Sequence, residues 1–502
     1  MISVFEPDEF AQYPHVTRTL EFHGNTLRQK VWHFVAYQHY YYGFPFYAYS
    51  TITLLIPKLI LGLGNTQLNM LVLRQFVSVL PMILSVWLLV YIQTKFQYFW
   101  RSIALFIFLL FIPVVVKNNL WWHPDSLAIL FSILVIYFLA RDDLKFGNDF
   151  LLASVAVGLS VGTKMLGWFF FLTIPTYLFW GLLSKKINWK ELVKKSIIFL
   201  FIMFLTILVS NPALIHPDER MRYFLIQKSQ ASAMGFGWHV AYEKGPLSWF
   251  RIIDEYYGKW FLIILTTLSL IKGIWQKETR LVNVLILTWF LPMLIYILFF
   301  VAIKPVHLFM PIALPFFSSL INIYPANGQG DQRRVLKAFS ITALLLILVQ
   351  FVFNIIEDFD LINSHTRKED QHPALLFYEE MESSLFSCLP EEMELTIYRD
   401  IRAYVPEGKN RDILMNWQPI DYTYLLDLSP DVLVFQQQKI SDYTKDDLLS
   451  SAFEKDQMKK TIELYSDASK GEITDYQLIV ADDFGKAYLR EDLTGVLHCP
   501  GH

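Results

Sequence analysis

Cysteine is nearly missing from this 502-residue chain. Cys388 and Cys499 are the only two, with no Cys-x-x-Cys pair, so neither a zinc site nor a redox motif can be drawn. A nucleotide-binding glycine-rich loop is also missing, which removes the usual cradle for a nucleotide phosphate. The opening residues are charged and aromatic rather than a basic flank followed by an apolar stretch, so no cleavable signal peptide is read there, and insertion relies on later spans. Internal repeats and low-complexity tracts do not occur. Apolar side chains are what the chain has in excess. They make up 54% of it, aromatics 16%, and the mean hydropathy is +0.36. Apolar runs of about 20 residues recur through the first 360 positions, the signature of a polytopic membrane protein and not of a soluble enzyme.

The net charge of -3 conceals an asymmetry: residues 361–502 carry 27 Asp and Glu against 14 Lys and Arg, and residues 1–360 carry 19 against 29. A basic membrane domain, 1–360, followed by an acidic soluble α/β domain, 361–502, is the expected organisation, with nothing to suggest nucleic acid as a partner. Residues 19–37 are expected to form an interfacial helix, and residues 44–63, interrupted by Pro45, Pro57 and Lys58, a juxtamembrane one. About ten spans come after it, at 76–96, 103–116, 126–140, 150–163, 165–183, 196–210, 260–275, 281–303, 306–324 and 336–356.

Lysine and arginine are retained in short cytoplasmic loops. They cluster in alternate connections, around Lys95 and Arg101, Arg141 and Lys145, Lys185 to Lys195, Lys272 to Arg280, and Arg333 to Lys337, with 327–331 as a flexible cytoplasmic turn. The N-terminal segment, the loop at 121–125, the turn at Lys164, the loop at 211–257, the turn at 304–307 and the C-terminal domain are therefore expected outside. In that domain residues 395–398 and 431–435 read as strands, 476–480 with 486–489 as a hairpin, and 374–383 and 445–464 as helices.

Three acid-bearing patches then share one face. Phe5-Glu6-Pro7-Asp8-Glu9-Phe10 is read as a turn, Trp121-Trp122-His123-Pro124-Asp125 opens a span, and His216-Pro217-Asp218-Glu219 comes just after one. Aromatic walls desolvate a carboxylate and raise its pKa, which suits it to act as a general base. Solvated loop acids are the plainer reading of each. For the third patch a helix start after Pro217 accounts for the acids, and no metal-ligand spacing is present. Tyr40-Tyr41-Tyr42 and Trp121-Trp122 suit stacking on a sugar, or an interfacial aromatic belt.

Pro7-Asp8-Glu9 in a first external loop, Tyr41-Gly43-Phe44-Pro45 before a juxtamembrane helix, Arg74 within residues 71–78, His123-Pro124-Asp125-Ser126 opening a span, residues 158–164 ending in Thr163-Lys164, and the span with Pro311 and Pro315 together resemble the GT-C glycosyltransferases. Within them the branch of protein O-mannosyltransferases and aminoarabinose transferases is the most similar. The resemblance covers most of residues 1–320. It implies an all-α polytopic membrane domain with a small extracytoplasmic domain, in the cell membrane, moving a sugar from a polyprenyl-phosphate donor to an extracytoplasmic protein, lipid or glycan. It further implies Asp8 as the catalytic acid position, Glu9 beside it and Asp125 as a second acid. The donor phosphate needs cations at the outer ends of spans, where Arg74, Lys164, Lys304 and His307 stand, although such side chains also snorkel. No cofactor is called for. Members of the family place a span ahead of the acidic loop, and this sequence starts within the loop. A transporter or flippase of lipid-linked sugars is the alternative, with inverted repeats as its missing mark. A bridge between Cys388 and Cys499 would close a loop of over a hundred residues, and two free or buried thiols are the other possibility.

Overall fold

In the computed structural model the residues described are 6–21, 23–62, 65–236, 244–302, 306–323, 332–371, 373–390, 392–406, 410–416, 420–446, 448–452 and 455–497. The chain forms two compact units, one of Asp8–Gly235 with Glu243–Ile362, the other built mainly on Asn363–His502.

The first unit is helical. Its elements are α1 (Pro7–Leu20), α2 (Leu27–Val35), α3 (Phe44–Leu61), α4 (Thr66–Leu73), a π turn at Arg74–Val79, α5 (Leu80–Thr94), α6 (Phe99–Leu110), α7 (Pro113–Asn119), α8 (Asp125–Asp142), α9 (Asn148–Thr163), α10 (Thr173–Leu183) and α11 (Trp189–Ser210). They continue with α12 (Pro217–Phe236), α13 (Pro246–Tyr257), α14 (Trp260–Trp275), α15 (Arg280–Phe300), α16 (Val306–Ser318) and α17 (Gln332–Gln371). A continuous apolar core joins α5, α8, α9, α11, α14, α15 and α16.

Among the described residues each of the ten expected spans falls mostly on helix, but fewer are single straight crossings. Among the described residues four stretches are long and apolar enough to cross a bilayer: Thr66–Thr94, Trp189–Ser210, Arg280–Phe300 and Ser340–Asn363. Two more pairs qualify only when joined across a bend, α6 with α7 at 60° and α13 with α14 at 84°. The reasons are local. Pro113 opens α7 without an amide proton to continue α6, and Gly258, at φ 82°, turns the chain between α13 and α14. The expected interfacial helix at 19–37 is broken as well. α1 ends at Leu20, Gly24 stands at φ 128°, and Thr26 caps α2, accepting from the Gln29 amide while the Gln29 side chain returns to the Thr26 amide.

The second unit has a five-stranded sheet: β1 (Leu395–Arg399), β2 (Arg411–Leu414), β3 (Val432–Gln436), β4 (Tyr476–Ala481) and β5 (Gly485–Arg490), in the order β2-β1-β3-β5-β4. β1 lies parallel to β2 and β3, and β5 runs antiparallel to β3 and β4. The central strand β3 is buried at all five positions. Apolar residues cover both sheet faces, with helices α18 (Pro373–Ser384), α19 (Tyr422–Leu428), α20 (Gln437–Tyr443), α21 (Leu448–Ser451) and α22 (Lys455–Lys470). The expected hairpin is β4–β5. The single helix expected at 445–464 is two, α21 and α22, and β2 and α19 had no sequence signal strong enough to mark them. Cys388 is disulfide-bonded; Cys499, the other cysteine of the chain, lies outside the described residues, as does the turn at 327–331.

Candidate active site

Pro7-Asp8-Glu9 is not a turn but the first turn of α1, where free amides and the helix dipole favour acids. Neighbours on a helix point about 100° apart, so the two carboxylates meet different surroundings. Glu9 is fully buried. It accepts Arg74 Nε at 2.6 Å and Nη2 at 2.5 Å, a two-pronged pair, and the Trp122 amide at 2.5 Å. The Asp8 side chain is 40% exposed.

The residues around Asp8 come from four places. The Tyr42 hydroxyl donates toward Asp8 Oδ2 at 3.4 Å, and His123 Nε2 lies 3.6 Å from the same oxygen. Tyr42 Oη and His123 Nε2 are 2.7 Å apart, and His123 Nδ1 stands 2.7 Å from Asp125 Oδ2. Asp125, the first residue of α8 and 3% exposed, also accepts Lys164 Nζ at 2.5 Å. Lys164 comes directly after the last residue of α9 in extended backbone, its ammonium 5.5 Å from the centre of the Tyr42 ring.

Local sequence explains how these groups are held. The π turn carries one residue more per turn than the α-helix, and it buries both Arg74, which reaches Glu9, and Ser78, whose hydroxyl accepts the His123 amide at 3.2 Å. Tyr42 is fixed from behind. The Gly43 amide donates to Thr163 O at 2.9 Å, the Phe44 amide to Asn211 Oδ1 at 2.8 Å, and Asn211 Nδ2 to Gly162 O at 3.1 Å. A β-carbon on Gly43 would lie 1.5 Å from the Gly162 carbonyl oxygen. Gly43→Ala is therefore expected to push the loop of Tyr42 off the end of α9, with a fall in the unfolding temperature of the detergent-solubilised protein; Gly43 sits at φ -84°, so the effect is one of packing alone.

Burial, then Asp8 and Asp125, holds the Tyr42 phenol well above its ordinary pKa, so it stays protonated. Close by, burial and the neighbouring His15 ring push His39 down to about 3, which keeps it a neutral imidazole.

Of the residues singled out in the sequence, Asp8, Glu9, Asp125, Arg74 and Lys164 are brought together. Arg74 and Lys164, expected at the donor phosphate, pair with Glu9 and Asp125 respectively. Lys304 lies outside the described residues, and so does the side chain of His307. The third acidic patch is the start of α12, with Pro217 at its first position; Glu219 accepts the Tyr40 hydroxyl at 2.5 Å and so braces the tyrosine loop. Trp122 is buried, stacked on Phe46 and bonded to Ser50, so it is core; Trp121 stacks on His123 with ring centres 4.6 Å apart. Among the described residues no three His, Cys, Asp or Glu side chains gather as metal ligands. His123 and Ser78 carried no catalytic role in the sequence reading, and Tyr42 only that of stacking on a sugar or joining an aromatic belt. The i, i+2 spacing of His123 and Asp125 across Pro124 was the available signal.

No family model matches the chain, and no curated protein matches it. Among solved structures, ArnT from Cupriavidus metallidurans bound to undecaprenyl phosphate is 11% identical at a TM-score of 0.48, covering 89% of this chain and 88% of that one. The oligosaccharyltransferase AglB from Archaeoglobus fulgidus, in complex with an inhibitory peptide and a dolichol-phosphate, is 10% identical at a TM-score of 0.50, covering 90% of this chain and 67% of that one.

Proposed function

Because the chain has the fold of the GT-C membrane glycosyltransferases, we propose that it transfers a sugar from a polyprenyl-phosphate carrier to an acceptor hydroxyl on the extracytoplasmic face. AglB is a transferase seen with a dolichol-phosphate and a peptide, which is consistent with a lipid-phosphate donor. The observation that carries the reading is the division of labour between adjacent acids. Glu9 is consumed by Arg74 and the Trp122 amide, whereas Asp8 faces partly into solvent beside Tyr42 and His123.

In this reaction Asp8 takes the proton of the acceptor hydroxyl as its oxygen bonds to the sugar C1. The C1–O bond to phosphate breaks, and the electron pair leaves on the lipid phosphate. A phosphate is already a good leaving group, so no strong acid and no cofactor are required on that side. Lys164, Lys304 and His307 are the cations proposed to face it, and Arg74 is proposed to act through Glu9, holding the N-terminal turn of α1 in place. The outward face is inferred from the lysine-rich loops.

The test is glycan and lipid mass spectrometry on cells lacking the protein, with a topology reporter after His502. Loss of one class of surface sugar, with its polyprenyl-phosphate donor accumulating on the outer leaflet, is the expected result. Donor retained on the cytoplasmic leaflet marks a flippase, and a reporter active only in the cytoplasm overturns the assignment of the site to the outer face.

A further inference from the structure

We propose that Tyr42 and His123 form a proton relay that carries the acceptor's proton away from Asp8 and stores it as an imidazolium against Asp125. The inference rests on the reading of Asp8 as the base.

Distances and hydrogen-bonding capacity set the direction. Asp125 Oδ2 lies 2.7 Å from Nδ1, off the line of a hydrogen bond but too close for two facing lone pairs, so the relay assigns the His123 proton to Nδ1 and leaves Nε2 a lone pair. The Tyr42 hydroxyl, 2.7 Å from that lone pair and 3.4 Å from Asp8, has one proton to give and an oxygen that can accept. Once Asp8 has gained a proton, its O–H donates to Tyr42 Oη while Tyr42 passes its own proton to His123 Nε2. One O–H bond breaks on Asp8 and one forms on Tyr42; one O–H breaks on Tyr42 and one N–H forms on His123. Asp8 is returned to the carboxylate, and the phenol is never left as a phenolate.

Charge gives the relay its purpose. The groups facing His123 are Asp8 from α1, Tyr42 from the loop before α3, Ser78 from the π turn and Asp125 from α8, with Lys164 behind Asp125 and the Glu9–Arg74 pair joined through the Trp122 amide. With His123 neutral, three carboxylates (Asp8, Glu9, Asp125) stand against two cations (Arg74, Lys164). The reaction turns a phosphodiester into a phosphomonoester, adding a negative charge to a site already negative. Protonating His123 in the same event brings these groups to balance as that charge appears.

Binding of the spent carrier should then draw in a proton. The experiment is isothermal titration of the full-length protein in detergent with undecaprenyl phosphate, in buffers of different ionisation enthalpy. Wild type should take up about one proton more per lipid than His123→Gln. The lipid's own ionisation is common to both proteins and cancels. Tyr42→Phe should keep the proton uptake, because equilibrium needs no wire, while lowering sugar transfer in cells by about tenfold or more. Equal uptake by wild type and His123→Gln overturns the store, and Tyr42→Phe at the wild-type rate overturns the wire; in either case Asp8 as base survives. Absence of undecaprenyl phosphate binding by wild type overturns the relay together with the lipid-phosphate donor.

Discussion

Asp8→Asn should leave a folded protein that no longer transfers sugar, with turnover reduced by about 10²- to 10⁴-fold, the usual contribution of a positioned general base. The amide has the shape of the carboxylate and accepts a hydrogen bond from Tyr42, but it cannot take the acceptor's proton. Stability should hardly change, because the side chain is 40% exposed and its hydrogen bond from Tyr42 is long at 3.4 Å. The check is paired: unfolding temperature and elution volume of purified protein close to wild type, and surface glycans matching the deletion strain. Turnover near wild type in a folded Asp8→Asn protein would remove Asp8 from the chemistry.

One residue further on, the same kind of substitution should have the opposite consequence. Glu9→Gln strips the charge from a fully buried carboxylate and leaves the Arg74 guanidinium, 8% exposed, without its counter-charge. Breaking such a pair from one side costs about 3–5 kcal/mol, a large part of the stability of an ordinary fold. The loss should appear as poor yield and early unfolding in detergent, before any question of activity arises. Arg74→Met should do similar damage by orphaning Glu9. The double variant Glu9→Leu with Arg74→Leu should recover much of the stability and none of the transfer, because the penalty comes from an unmatched charge and the double change leaves none. A double variant as unstable as the singles combined would show that the pair is not where the energy lies.

These two predictions mark how far the sequence could be read. Helices were legible wherever an apolar run was long, since a bilayer leaves the backbone few alternatives. The acids were legible because Asp8 and Asp125 each stand beside a proline and aromatics. What the sequence could not apportion was partnership. Glu9 and Asp8 look alike in a string, and only the 100° step of the helix separates a buried, paired carboxylate from a half-exposed one. The carboxylates that Arg74 and Lys164 hold were hidden, because they lie 65 and 39 residues away. Tyr42 was read as stacking on a sugar or joining an aromatic belt, since its place beside Asp8 depends on a glycine-to-backbone contact with the end of α9 that no local pattern encodes. In the second unit the paired strands β4 and β5 were visible as alternation on either side of a turn. The four-residue β2 was too short to carry a period.

The π turn at Arg74–Val79 has a consequence for insertions and deletions. A π turn is what an α-helix becomes when it absorbs one extra residue. Removing a single residue from the middle of this stretch would let α4 and α5 merge into one regular helix, still apolar and still long. Local stability and hydropathy would register nothing wrong. Yet the wide turn that presents Arg74 to Glu9 and Ser78 to the His123 amide would be gone, with those two side chains three residues apart instead of four. Reading-frame-preserving deletions here should thus give protein that inserts in the membrane at normal levels and does no work, a class of lesion that abundance measurements would pass as healthy.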